Sequence, residues 1–166
     1  MTALEGKAGL FLALHQRDRP LLQPNAWDVG SARLLASLGF EAIATTSGGF
    51  AASLGRLDGS VTRDEALAHG AQLAASVDIP VAADTENGFA DDPAGVRETM
   101  ALACATGLAG CSIEDFTRRP DDPIYDIGLA RERIVAAAEA AHGPGAQLVL
   151  TARAENHIHG RDDLAD

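Results

Sequence analysis

Two carboxylates separated by one residue, Asp84 and Glu86, end a short apolar run, Pro80-Val81-Ala82-Ala83. On an extended strand, residues i and i+2 point the same way. The pair therefore aims at one point if strand geometry persists through Thr85. Charges at the end of a buried strand need compensation, and a divalent cation supplies it. The plainer alternative is that Asp84 ends the strand and Glu86 is a solvated turn residue. Other strand ends carry similar groups: Thr46-Ser47 ahead of Gly48-Gly49, Glu114-Asp115, and Arg153 with Glu155. Acids and one arginine converging on a single rim make a site for a metal plus an anion. Hard oxygen ligands select Mg²⁺ or Mn²⁺ over zinc. Arg153 can hold a carboxylate in bidentate fashion, and the amides around Ser47-Gly48-Gly49 can take a second carboxylate or an oxyanion. Such parts suit a small α-oxo or α-hydroxy acid that reacts through an enolate.

The elements that must position these groups alternate between strand and helix. A short helix over 7–15 is broken at Arg17-Asp18-Arg19-Pro20. Strands are expected at 21–27, 41–46, 80–83, 108–113 and 147–152. Ser47-Gly48-Gly49 opens a long loop through Gly59, in which Asp58 has the setting of a turn residue. Asp28 can cap a first crossover helix that Gly39 stops. Thr62 and Glu65 form a capping box, Asp92-Pro93 starts a further helix, and Asp126 starts another that runs to Gly143. A polar segment with two prolines, 116–125, is a loop. Strands about 30 residues apart are the usual size of a βαβ unit. In parallel α/β folds the carboxyl ends of the strands form the site, where all of the groups above fall. Trp27, the one tryptophan, is expected to pack rather than to touch a ligand.

With 166 residues, the chain suffices for one domain, 1–166, with a sizeable core. It is 46% hydrophobic but only 4% aromatic, so the core is built from Ala, Leu, Val and Ile, as suits helices on a parallel sheet. A net charge of −11 argues against a nucleic-acid or anionic-membrane surface. Cys104 and Cys111 lie in apolar surroundings with no CxxC spacing and read as buried thiols of a reducing compartment. No run approaches a membrane span and no signal-peptide pattern opens the chain, so a cytoplasmic protein is expected. There is no serine–histidine–acid triad, Walker loop or Gly-x-Gly-x-x-Gly. His157-x-His159 hints at zinc, but histidines at i, i+2 after a strand are more often loop residues.

Taken jointly, six motifs resemble the phosphoenolpyruvate mutase/isocitrate lyase superfamily. They are Asn25-Ala26-Trp27-Asp28-x-x-Ser31-Ala32, Thr45-Thr46-Ser47-Gly48-Gly49, Leu54-Gly55-x-x-Asp58-Gly59, Asp84-x-Glu86-x-Gly88, Ile113-Glu114-Asp115 and Ala152-Arg153. The resemblance implies a parallel (β/α) barrel of TIM type with Mg²⁺ (or Mn²⁺) at its C-terminal rim. It also implies cleavage or rearrangement of a C–C or P–C bond next to a 2-oxo or 2-hydroxy carboxylate, through an enolpyruvate-like oxyanion. By position, Asp84 would be the direct metal ligand, with Glu86, Glu114 and Asp58 acting on the metal largely through its waters. Ser47, Gly48, Gly49, Asp58 and Arg153 would serve the substrate, and Ser47, Asp58 and Arg153 the chemistry. The expected partner is a small 2-oxo or 2-hydroxy acid, and the expected assembly is a homo-oligomer.

Two departures stand out. Lyases of the family carry Lys-x-Cys-Gly-His after the Glu-Asp motif, where this chain has Phe116-Thr117-Arg118-Arg119-Pro120-Asp121-Asp122-Pro123. The loop also lacks the asparagine of phosphonate-acting members. Secondly, a closed barrel needs eight βα units and about 250 residues, whereas about five are expected here. Two rivals follow. One is a binding protein that keeps the Mg²⁺ and carboxylate site without turnover. The other is an open, flavodoxin-like receiver of metal or phosphoryl groups.

Overall fold

The computed structural model describes residues 6–146 and 148–161; of the last expected strand, Gln147 lies outside them. Its elements run α1 (Gly6–His15), α2 (Val29–Ser37), β1 (Ile43–Ala44), α3 (Ser47–Ser53), α4 (Arg63–Ser76), β2 (Val81–Asp84), α5 (Pro93–Ala103), β3 (Gly110–Glu114), α6 (Ile127–Ala141) and β4 (Val149–Arg153), followed by a 3₁₀ turn, His157–His159. Among the described residues no helix is long and apolar enough to cross a membrane.

Local signals set the helix starts. Thr62 and Glu65 cap α4 reciprocally, and Asp28 does the same for α2 with Ser31. The Asp92 carboxylate accepts from Gly95 N–H ahead of Pro93, and that of Asp126 from Gly128 N–H at the start of α6. Each satisfies an amide that the helix leaves without a partner.

The four strands are parallel and lie in chain order, β1-β2-β3-β4. This excludes the flavodoxin-like alternative, whose strand order reverses at a switch point. A monotonic order is an arc of a (β/α) barrel. One face of the arc, with Ile43, Val81, Ala83, Cys111 and Ile113, packs on α2, α4, α5 and α6 through residues such as Ala32, Leu73, Met100 and Ala137. Period-two alternation and the register place Ala82, Asp84, Gly110, Ser112, Glu114, Val149, Thr151 and Arg153 on the other face. Near its amino end that face is covered by α1, whose Phe11 and Leu14 meet Ala42, Ala82 and Ala109. Gly110 makes room for this: an added Cβ would lie 2.7 Å from Phe11 Cε1 and 2.7 Å from Val149 O.

Two expected elements differ. The strand at 21–27 is reduced to one parallel bridge, Asn25 with Ala44, held by Ala26 N–H to Ala44 O at 2.8 Å and Ala44 N–H to Pro24 O at 3.0 Å. Pro20 and Pro24 have no N–H to extend a ladder. The segment after Thr46 is not all loop. It begins with α3, where Thr46 is the N-cap and accepts from Gly49 N–H, and Phe50 stacks on His69 of α4 with centroids 3.8 Å apart.

The loop between β2 and α5 is held by a buried arginine. Arg133 of α6 is 1% exposed and donates to the carbonyls of Asn87, Ala90 and Asp91. Its guanidinium lies 4.0 Å from the centroid of the Tyr125 ring, and the Tyr125 hydroxyl in turn donates to the Asp91 carboxylate. Truncating Arg133 leaves the carbonyl of buried Asn87 unsatisfied and removes the donor from those of Ala90 and Asp91, so Arg133→Met is expected to lower unfolding free energy by about 3 kcal/mol. Arg97→Met, which breaks only the exposed pair with Glu139, should lower it by about 0.5 kcal/mol. Urea unfolding of both variants checks this. Equal midpoints would show that Arg133 holds nothing.

Candidate active site

The polar face of the arc opens into a cleft of about 910 Å³ at the carboxyl ends of the strands. Ser47, Gly48, Asp58, Asp84, Glu86, Glu114 and Arg153 all line it. Of the residues singled out from sequence, Gly49 is not among the lining residues. It lies beneath Trp27, where an added Cβ would come within 2.6 Å of the indole Cδ1. Trp27 is 56% exposed and packs there.

Asp84 ends β2 because the chain turns immediately after it. Its Oδ2 accepts from Ser47 N–H at 3.0 Å and its Oδ1 from Glu86 N–H at 3.0 Å. The second bond closes a tight turn, so strand geometry does not persist through Thr85. Thr85 is fully buried, with its hydroxyl on Ser112 O at 2.5 Å, and Glu86 has φ +48°. Glu86 reaches the cleft through this left-handed turn and not through strand alternation. Nor is it a solvated turn residue: its side chain is 8% exposed and ion-paired through Oε2 to Arg118 Nη2, while Oε1 is buried without a hydrogen-bond partner.

Glu114 and Arg153 are in-register neighbours on β3 and β4. Arg153 Nη1 lies 2.7 Å from Glu114 Oε1 and 3.8 Å from Asp84 Oδ1, and its Nη2 lies 2.7 Å from Glu155 Oε1. Burial pushes the Glu114 carboxyl up to about 7. Arg153 pulls it down, and the charges of Asp84, Glu155 and Asp58 push it up again. Asp58 comes from the loop after α3. Its Oδ2 lies 3.2 Å from where a Cβ on Gly48 would sit, so the glycine lets the acid close over the helix start.

Among the described residues no three His, Cys, Asp or Glu side chains converge tightly enough to chelate an ion. The guanidinium groups of Arg118 and Arg153 lie against Glu86 and Glu114 instead. The donor set nonetheless suits a hard divalent cation. It is all oxygen, it includes the orphaned Oε1 of Glu86, and burial, helped by the neighbouring acids, already disfavours the charged form of Glu114.

The cleft also has walls beyond the site residues expected from sequence, among them His159, which the sequence places in a loop. Ser112 and Thr151 follow from the same alternation as Glu114 and Arg153 and could have been found that way. Arg118, with φ +63° in the loop after β3, gives no local signal of its position. Phe116 and His159 stack on each other at the cleft, centroids 4.5 Å apart and planes 12° apart.

The family model for phosphoenolpyruvate phosphomutase matches residues 11–166. The chain belongs to this family. A solved Burkholderia cenocepacia J2315 protein of lyase/mutase type is 51% identical with a TM-score of 0.93, over 96% of this chain and 58% of that one. The crystal structure of a 2,3-dimethylmalate lyase is 30% identical with a TM-score of 0.82, over 92% and 55%. An uncharacterised Mycobacterium tuberculosis (strain CDC 1551) protein is 38% identical over 127 residues, 76% of this chain and 46% of its own. The chain thus spans about half the length of the family members it matches. The fold of this family accounts for the partial barrel and for the position of the cleft.

In the metal-free protein the Glu114 carboxyl titrates above its ordinary value, so the folded state binds that proton more tightly than the unfolded chain does. Its contribution to stability is present below about pH 4.5 and is lost as the pH rises through about 7. Unfolding free energies measured between pH 4.5 and 8 in chelator should show this fall, and Glu114→Gln should remove it. A native slope that Glu114→Gln leaves intact would assign the effect elsewhere.

Proposed function

We propose that this chain forms the metal- and carboxylate-binding part of an Mg²⁺-dependent (or Mn²⁺-dependent) enzyme. The enzyme cleaves or rearranges a C–C or P–C bond of a small 2-oxo or 2-hydroxy carboxylic acid through an enolpyruvate-like oxyanion. One observation carries this reading: Asp84, Glu86 and Glu114 meet Arg153 in a single cleft at the carboxyl ends of parallel strands. Family membership agrees with it.

In this reading Asp84 holds the cation directly, and Glu86 and Glu114 hold it largely through water. When bound, the cation stabilises negative charge that develops on the substrate oxygen. Arg153 takes the substrate carboxylate; its Nη1 and Nη2 already lie 2.7 Å from carboxylate oxygens of Glu114 and Glu155. Ser47 N–H is spent on Asp84 and Gly49 N–H on Thr46. The Ser47 hydroxyl and the Gly48 amide are therefore the groups offered to the other end of the substrate. Asp58, closing over Gly48, positions that end. The loop after β3 carries neither cysteine nor lysine between Phe116 and Tyr125, which argues for a substrate other than isocitrate or methylisocitrate. In the complete protein we propose that the barrel is one domain and that copies associate.

Oxalate mimics the planar enolpyruvate anion, and calorimetric titration with and without Mg²⁺ tests the reading. Binding should require Mg²⁺. Asp84→Ala should abolish the metal dependence. Arg153→Ala should cost about 2–5 kcal/mol of oxalate affinity, the loss typical of one partner of a desolvated charge pair. Metal-independent binding, or full affinity in Arg153→Ala, would overturn it. Oxalate and Mg²⁺ binding by a protein that turns over no oxo or hydroxy acid would establish the purely binding rival.

A further inference from the structure

Breaking a C–C bond beside a 2-hydroxy carboxylate requires a proton at carbon. The hydroxyl gives up its proton to solvent water as C2–O becomes a carbonyl. The C2–C3 electron pair stays on C3, delocalised into the neighbouring carboxylate, and C3 then takes up a proton. Within the described cleft few groups can deliver it. Arginine does not release its proton near neutrality, which removes Arg118 and Arg153. The acids Asp84, Glu86 and Glu114 are assigned to the cation, and Glu155 faces Arg153 at 2.7 Å. Asp58 is exposed, with Oδ1 accepting from Gly59 N–H at 2.9 Å. Burial pushes the Cys111 thiol up to about 12. Tyr125, at the end of the loop after β3, does not line the cleft and is buried and engaged by Asn87 and Asp91.

The lining serine and threonine hydroxyls do not ionise near neutrality, so one lining group of suitable chemistry remains. His159 is half-buried, and its ring lies nearly parallel to that of Phe116. It is held there from two directions. The turn is closed by His159 N–H to Asn156 O at 3.2 Å and Arg161 N–H to Asn156 O at 2.8 Å, with Asn156 8% exposed. One residue earlier, Glu155 N–H donates to the Asp115 carboxylate at 2.8 Å, tying the turn to the segment that carries Phe116. Imidazole both gives and takes a proton near neutrality, and partial exposure lets it recover one from solvent.

We propose that His159 is the catalytic proton carrier of this cleft. As imidazolium it protonates the carbanion carbon. In a separate step of the same kind, as imidazole, it takes a proton from the carbon next to the carbonyl of a bound 2-oxo acid, leaving the electron pair on the enolate oxygen. The inference rests on the function proposed above. It supplies the acid/base that the cysteine- and lysine-free loop does not.

The test uses pyruvate and Mg²⁺ in deuterated water, with loss of the methyl proton signal followed by NMR. The native protein should exchange those protons. His159→Gln should slow exchange at least 100-fold, on the order expected for loss of a general acid–base. It should keep oxalate affinity within about twofold, while His157→Gln exchanges as the native protein does. The Hε1 resonance of His159 should move when oxalate and Mg²⁺ are added. Native-rate exchange in His159→Gln would overturn the assignment. So would a native protein that binds oxalate with Mg²⁺ yet exchanges nothing. Failure of the native protein to bind oxalate with Mg²⁺ would overturn the site assignment as well.

Discussion

Five carboxylates share one rim with two guanidinium groups, and this imbalance of charge shapes the carboxyl end of the sheet. Asp84, the best placed of the acids, is compensated by backbone: the amides of Ser47 and Glu86 both point at it. Those two bonds fix the start of α3 and the turn after β2 together. Glu114 has no such amides and relies on Arg153, and burial still keeps its proton on to about pH 7. Glu86 leans on Arg118 and leaves one oxygen unsatisfied. A cation of charge +2 would relieve the residue that backbone and arginine do not cover.

The rest of the molecule holds this arrangement against its own repulsion. Glu86 sits in a left-handed conformation that a side chain rarely adopts unaided. The loop that imposes it is fastened at Asn87, Ala90 and Asp91 by Arg133, and at Gly88 by the Thr99 hydroxyl at 2.7 Å. Both anchors come from the helices on the far side of the loop, α6 and α5. The packing of α5 against α6 thus sets the position of a carboxylate at the rim, which links core order to site order.

What was legible in the sequence was what local chemistry decides. Thr62 with Glu65, Asp92 with Pro93, and Asp126 each announced a helix start, and the strand alternation brought Asp84, Glu114 and Arg153 to one rim. The losses have a different origin. Residues 21–27 have the apolar content of a strand, but the ladder depends on N–H groups that Pro20 and Pro24 lack. Helix α3 opens with a glycine pair, which local propensity counts against; it forms through the Thr46 cap and the stacking of Phe50 on His69. The backbone of Glu86 was illegible because strand alternation gives no sign of the Asp84 carboxylate folding back on the Glu86 amide, or of Arg133, dozens of residues away in the chain, fastening the loop that follows. Arg118 and His159 reach the cleft through loop geometry, for which spacing offers no rule, whereas Ser112 and Thr151 needed only the alternation already in use.

Strand β4 forms the outer margin of the described sheet, and Arg153 on it is 42% exposed. Mobile ions therefore have access to the Arg153 guanidinium, and at ordinary ionic strength the Debye length is about 8–10 Å. Any grip of this sheet on an anion through Arg153 would consequently be a function of salt as well as of geometry. Any group that came to cover β4 would change the dielectric around Arg153, and with it the strength of the same contact, without moving an atom of the arginine.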